Sequence, residues 1–188
     1  IAKDISDIFN DDKTLKFTFN SNSNQELGLG QADTNNDNLR MDLSSKKWYA
    51  FNENFGTDQE KFLVKCINKL YESELKHMYS SFYLLRNERH FKLYTFEEGL
   101  AFEPDFVLYL EKKEGSNLVA YQVFIEPKGE NLLTNVDSII KQNFLNEIQD
   151  KYKIEISFPN HTFKLIGTRL YNEFSTKEEF QRQLLEIK

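Results

Sequence analysis

The sequence holds one cysteine, Cys66, in 188 residues. A single thiol excludes an internal disulfide and any cysteine-built zinc cluster. The three histidines, His77, His90 and His161, fall at no metal-ligand spacing. No apolar run approaches the roughly 20 residues that a membrane span requires, so no membrane partner is expected. No Gly-x-x-x-x-Gly-Lys-Ser/Thr loop occurs, so these residues hold no nucleotide-driven motor of that type. No internal repeat is visible. Residues 1–12 are polar and acidic and do not read as a signal peptide. A reducing cytoplasm is the expected location. The first residue is Ile1, so a fragment or a processed product is expected. A basic surplus is also lacking: 24 Lys and Arg against 30 Asp and Glu give a net charge of −6. Phosphate neutralisation normally calls for a basic surface. The acidic balance therefore implies that these residues alone grip a polyanion poorly.

What is present is an ordinary globular balance, 39% hydrophobic and 29% charged, enough for one sizeable core. Residues 1–46 stand apart. They contain the polar runs 20–24 and 33–38, rich in Asn, and read as a linker or N-terminal extension, with a possible added strand at 15–19. Residues 47–188 read as the folded domain. Thr57 starts a helix with Phe62, Leu63, Cys66, Ile67 and Leu70 on one stripe. Residues 81–86 and 91–96 read as strands. The runs 102–110 and 118–126 are nearly continuous apolar stretches joined through Gly115, which predicts a hairpin of central strands. A second helix is predicted over 132–150, with Leu132, Leu133, Val136, Ile139, Ile140, Phe144 and Ile148 as its buried stripe. Strands at 153–158 and 163–171 follow. A short helix starts at Thr176, with Glu179 as a capping-box partner. The order of elements predicts an α/β fold, a mixed sheet flanked by helices.

One constellation carries chemistry. Asp105 follows Pro104 in the first apolar run. Glu126 ends the second, 21 residues later, and Lys128 follows two residues on, before Gly129. Residues two apart on a strand share a face. Magnesium-dependent phosphodiester hydrolysis needs such a set: hard carboxylate oxygens for the ion and a lysine to orient water and stabilise negative charge. Glu-x-Lys also occurs at 74/76, 111/113 and 186/188, but only the pair at 126/128 ends a long apolar strand. The bland alternative is a strand-end carboxylate neutralised by a neighbouring lysine.

The stretches Pro104-Asp105 and Glu126-Pro127-Lys128-Gly129 resemble the PD-(D/E)XK motif of the restriction-endonuclease-like superfamily. Residues 102–110 with 123–130, and Leu85-Arg-Asn-Glu-Arg89 before them, are similar to the C-terminal nuclease domain of type III restriction enzyme Res subunits. The resemblance covers about residues 48–172. It implies an αβββαβ core and a metal-dependent deoxyribonuclease that cuts double-stranded DNA with Mg²⁺, or Mn²⁺ in its place. It further implies an upstream ATP-dependent helicase or translocase and a modification (methyltransferase) subunit as partners. It makes Asp105 and Glu126 metal ligands, Lys128 the catalytic lysine, and the Pro127 carbonyl an added oxygen ligand.

Glu60 has two readings. Relatives in the superfamily carry a glutamate on the first helix near the metal, while Thr57-Asp-Gln-Glu60 is also a capping box. Lys141 and Gln142 read as a solvated helix face. Cys66 and the aromatic group Trp48, Tyr49 and Phe51 read as core. Arg86, Arg89, His90, Lys92 and Lys128 are the candidates for phosphate contact. The competing reading for the whole chain is a non-catalytic docking module that keeps the nuclease fold.

Overall fold

The computed structural model describes residues 29–88, 92–94, 99 and 101–187. The strand expected at 15–19, the polar run 20–24, Arg89 and His90 lie outside the described residues. Helix α1 spans Asp58–Leu70 and continues through a π-helical turn, Tyr71–Leu75, into a last turn, Lys76–Met78. Strand β1 is Ser81–Arg86. Two short strands, β2 (Leu93–Tyr94) and β3 (Ala101–Phe102), pair only with each other. The long hairpin is β4 (Phe106–Glu114) and β5 (Asn117–Ile125). It turns through Gly115 at φ 65°, a conformation glycine adopts without the steric cost of a Cβ. Helix α2 (Val136–Asn146) is followed by a π-helical turn, Glu147–Tyr152, then β6 (Glu155–Phe158), β7 (His161–Gly167) and α3 (Lys177–Leu185).

The central sheet has the order β1-β4-β5-β7-β6. Neighbours are antiparallel except β5 and β7, which run parallel. The parallel pair needs a crossover, and α2 supplies it. The fold is thus the expected α/β mixed sheet flanked by helices. Omitting the β2–β3 hairpin, the edge strand β6 and the closing helix α3, its elements follow the order αβββαβ, an arrangement not confined to nucleases. Strand β4 starts after Asp105 rather than before it. Pro104 has no N–H to give a ladder, so a strand starts readily beyond it.

Helix α1 covers one face. Leu63, Ile67 and Leu70 join Phe106, Leu108, Val123 and Ile125 in one buried cluster, with Cys66, Trp48, Tyr49 and Phe51 in the same core as expected. Residues 48–50 extend this edge: Leu84 N–H donates to the Trp48 carbonyl at 2.7 Å, and Ala50 N–H to the Leu84 carbonyl at 3.0 Å. The described part of the N-terminal segment packs on the same body. Leu39 and Leu43 are fully buried. The buried amide of Gln31 donates to the carbonyls of Leu39 and Lys61.

Helix α2 covers the other face, and here the predicted stripe holds for Leu133, Phe144 and Ile148 but fails for the rest. Val136 is 74% exposed, and Leu132, Ile139 and Ile140 are about half exposed. The residues turned inward are Ser138, Lys141, Gln142, Leu145 and Ile148, spaced three or four apart. Only the second half of the helix meets apolar partners: Phe144, Leu145 and Ile148 cluster with Phe102, Val107, Phe124 and Leu170. A Cβ on Gly167 would lie 2.0 Å from the Leu145 carbonyl, so α2 and β7 meet backbone to backbone there. The capping box expected at Thr176 does not form. The Thr176 hydroxyl donates to the Leu170 carbonyl at 2.6 Å and accepts from Asn172 N–H, and turned that way it makes no bond to the helix amides. Glu179 instead lies 3.4 Å from Arg169.

Candidate active site

Phe106 and Ile125 are register partners at the ends of β4 and β5. Asp105 and Glu126, one residue beyond, are therefore neighbours at that sheet edge. Val107 and Phe124 belong to the α2 face, so Asp105 and Glu126, two residues from each, share it. The Asp105 N–H donates to Glu126 Oε2 at 3.0 Å. Chain beyond Glu126 stays pinned: Tyr171 N–H donates to the Glu126 carbonyl at 2.9 Å, and Lys128 N–H to the Tyr171 carbonyl at 2.8 Å. Asn172, fully buried, donates from its amide to the Lys128 carbonyl at 2.9 Å. Because backbone groups alternate along an extended chain, the Pro127 carbonyl turns away from Tyr171.

Glu126 has no exposed surface. Its Oε1 accepts from Lys128 Nζ at 2.9 Å and from Lys141 Nζ at 2.6 Å. A buried carboxylate is tolerable only when charge and hydrogen bonds compensate it, and here two ammonium groups and one N–H do so. Asp137, on the exposed start of α2, lies 3.7 Å from Lys141 and 4.0 Å from Lys128. Burial pushes the Asp105 carboxyl up to about 7, and the negative charges of Glu126 and Glu60 push the same way against Lys128 and Lys141. Burial alone would lower the Lys141 pKa. Its hydrogen bond to Glu126 and the charges of Glu126, Asp137 and Asp105 hold it above the usual lysine value.

Glu126 and Lys128 thus meet side chain to side chain, and Asp105 joins them at the sheet edge through its backbone N–H and the charges its carboxyl feels. Lys141 meets them too, which corrects the solvated-face reading. So does the structure around Gln142: its Oε1 accepts from Leu170 N–H at 2.8 Å and its amide reaches Asn146, fastening α2 to the segment after β7. Apolar periodicity pointed away from both residues. The usable signal was the polar i, i+3, i+4 set Ser138, Lys141 and Gln142.

Glu60 makes the capping box. Thr57 N–H donates to Glu60 Oε2 at 2.7 Å, and Glu60 N–H to Thr57 Oγ1 at 3.4 Å. A Cβ on Gly56 would collide with this carboxylate at 1.8 Å, so the cap needs glycine there. Glu60 also pairs with Arg86 at 3.4 Å. It touches the site through its field at Asp105 rather than through a bond. The described cations proposed to meet phosphate are all ion-paired: Arg86 with Glu60 and Glu88, Lys92 with Glu103 at 2.6 Å, and Lys128 with Glu126.

Among the described residues no group of three or more His, Cys, Asp or Glu is placed to hold a metal. The candidate donors are the carboxylates of Asp105 and Glu126 and the Pro127 carbonyl. Such all-oxygen donors fit a hard divalent cation that keeps most of its waters, and do not fit a soft one. Among the described residues no helix is long and apolar enough to cross a membrane.

A family model described as HI_1054_C, C-terminal domain, matches residues 29–184. It includes the site and the packed segment from residue 29 onward. A protein of Haemophilus influenzae named "Uncharacterized protein" is 36% identical over 141 residues, which are 70% of this chain and 30% of that relative. The chain therefore spans under a third of the relative's length. No solved structure matches. The match of the family model over most of the sequence means that the chain belongs to the HI_1054_C C-terminal domain family.

Proposed function

We propose that this chain is a metal-dependent endonuclease domain that hydrolyses phosphodiester bonds of double-stranded DNA. The observation that carries the reading is the convergence of Asp105, Glu126 and Lys128 at one sheet edge, with Glu126 fully buried. A fully buried carboxylate flanked by a second acid and two half-buried lysines is held at a cost that packing alone does not recover. Asp105, Glu126 and the Pro127 carbonyl would hold Mg²⁺ or Mn²⁺, which supplies an acidified water and neutralises charge on the phosphate oxygens. Lys128 orients the attacking water and stabilises the negative charge that grows on phosphate. Water oxygen bonds to phosphorus, the ester P–O bond breaks, and the water proton ends on the departing oxygen by way of solvent. Glu60 sets the field at Asp105 and caps α1.

By the resemblance stated above, the setting is the cleavage domain of a cytoplasmic type III restriction enzyme Res subunit. An ATP-driven motor would lie upstream, and a methyltransferase subunit would be its partner. A relative more than three times as long as the matched segment leaves room for further domains. The pairing of Arg86, Lys92 and Lys128 with acids favours a second reading, a non-catalytic docking module of the same fold. Supercoiled plasmid incubated with the purified chain and Mn²⁺ separates the two. The enzyme nicks or linearises it, and Asp105→Ala or Lys128→Ala abolishes this without loss of fold. Equal cleavage by wild type and both variants would place the chemistry elsewhere, and no cleavage under any condition would favour the module.

A further inference from the structure

We infer that Lys141 is a positioning residue that holds Glu126 Oε1 until a divalent cation arrives and then gives that oxygen up. This rests on the nuclease reading above. Two amines share one carboxylate oxygen, Lys141 at 2.6 Å and Lys128 at 2.9 Å. The other oxygen is held by Asp105 N–H. A cation bound to this carboxylate therefore meets two ammonium charges at Oε1, and an amine must leave to relieve the repulsion. Lys128 is the less free to swing: its side chain is the more enclosed of the two, and Asp137 lies 4.0 Å from it against 3.7 Å from Lys141. Lys141 stands on a helix one turn after Asp137, whose carboxylate is 66% exposed and already 3.7 Å from the amine. Swinging to Asp137 keeps Lys141 paired and leaves it beside the site, where a substrate phosphate would be its other partner. Lys141 so lowers cation affinity in the free domain and couples cation entry to the arrival of a polyanion.

The test is Mn²⁺ binding to the DNA-free chain, read from the loss of the free-ion EPR signal. Lys141→Met should bind Mn²⁺ about tenfold more tightly than wild type, the size of effect expected from removing one nearby charge in a partly solvated site. Glu126→Gln should lose the binding. If Glu126→Gln binds as wild type does, or no form binds, the reading of the site itself fails. If Glu126→Gln loses binding but Lys141→Met binds no tighter than wild type, the role of Lys141 fails while the site stands. Should Lys141→Met not fold, amine acetylation of the wild-type chain decides. Mg²⁺ must speed modification of Lys141 against Lys112, which pairs with Glu114 near the hairpin turn. An unchanged ratio overturns the inference.

Discussion

The two faces of the central sheet are covered by helices of similar length, 13 residues in α1 and 11 in α2, yet the contacts beneath them differ. Under α1 the interface is hydrocarbon and aromatic beyond the first turn, where Glu60 caps the helix and pairs with Arg86. Under α2 the interface changes along the helix. Its far half is apolar, and its near half turns Ser138, Lys141 and Gln142 inward, with Lys141 on the buried Glu126 carboxylate, while Val136, Ile139 and Ile140 face outward. Hydrophobic burial is non-directional and holds α1 beyond its first turn largely by area. The near half of α2 is held by groups that must meet at defined distances. A helix spends its inward face on charge where the molecule needs charge, and its apolar residues are then left outside.

Three substitutions sharpen that contrast, from the largest effect to the smallest. Leu63→Ala, in the α1 interface, should destabilise the domain by about 3 kcal/mol, since it leaves a cavity among fully buried neighbours. Denaturant unfolding would read this, and a loss below about 1 kcal/mol would mean that the α1 face is looser than its burial implies. Asp105→Asn should act in the opposite sense. The folded carboxyl titrates near 7 and the unfolded one at about 3.9, so the folded state holds the extra proton between those values. The contribution is fully present below about pH 4 and is lost as pH rises to 7. Metal-free wild type should therefore lose stability across that window. Asp105→Asn should flatten the dependence and gain about 2 kcal/mol at pH 8, a figure set below the full shift because the site is partly solvated. A variant that is no more stable at pH 8 would mean that the carboxylates do not strain the site. Ile139→Ala, on the outward face of α2, should change stability by no more than about 0.5 kcal/mol. A loss as large as that of Leu63→Ala would show that this face is covered in solution.

Much of this was legible in advance where one physical signal dominated. Asp105 and Glu126 could be placed because each adjoins a long apolar strand, and strands that pair through a tight turn bring such ends together. The Glu60 cap was legible because Thr57 and Glu60 lie three apart at the head of an apolar stripe. Where two signals competed, the stronger-looking one misled. Apolar spacing over 132–148 outweighed the polar set that α2 turns inward. At Thr176 the pairing with Glu179 was local and plausible, but tertiary partners at Leu170 and Asn172 took the hydroxyl first. Residues 29–46 looked like linker by composition. Leu39 and Leu43 are nevertheless buried, and Gln31 is held by bonds to carbonyls distant in sequence, which no local pattern announces.

The central claim is that Asp105 and Glu126 form a cation site beside Lys128. Anomalous diffraction from a crystal soaked in Mn²⁺ tests it most directly. The account predicts one strong peak at about 2.1 Å from a carboxylate oxygen of each residue, with Lys141 moved off Glu126 toward Asp137. A map with no peak there, and with both lysines still on Glu126 Oε1, would contradict it and leave the cluster as a buried ion-pair network without a metal.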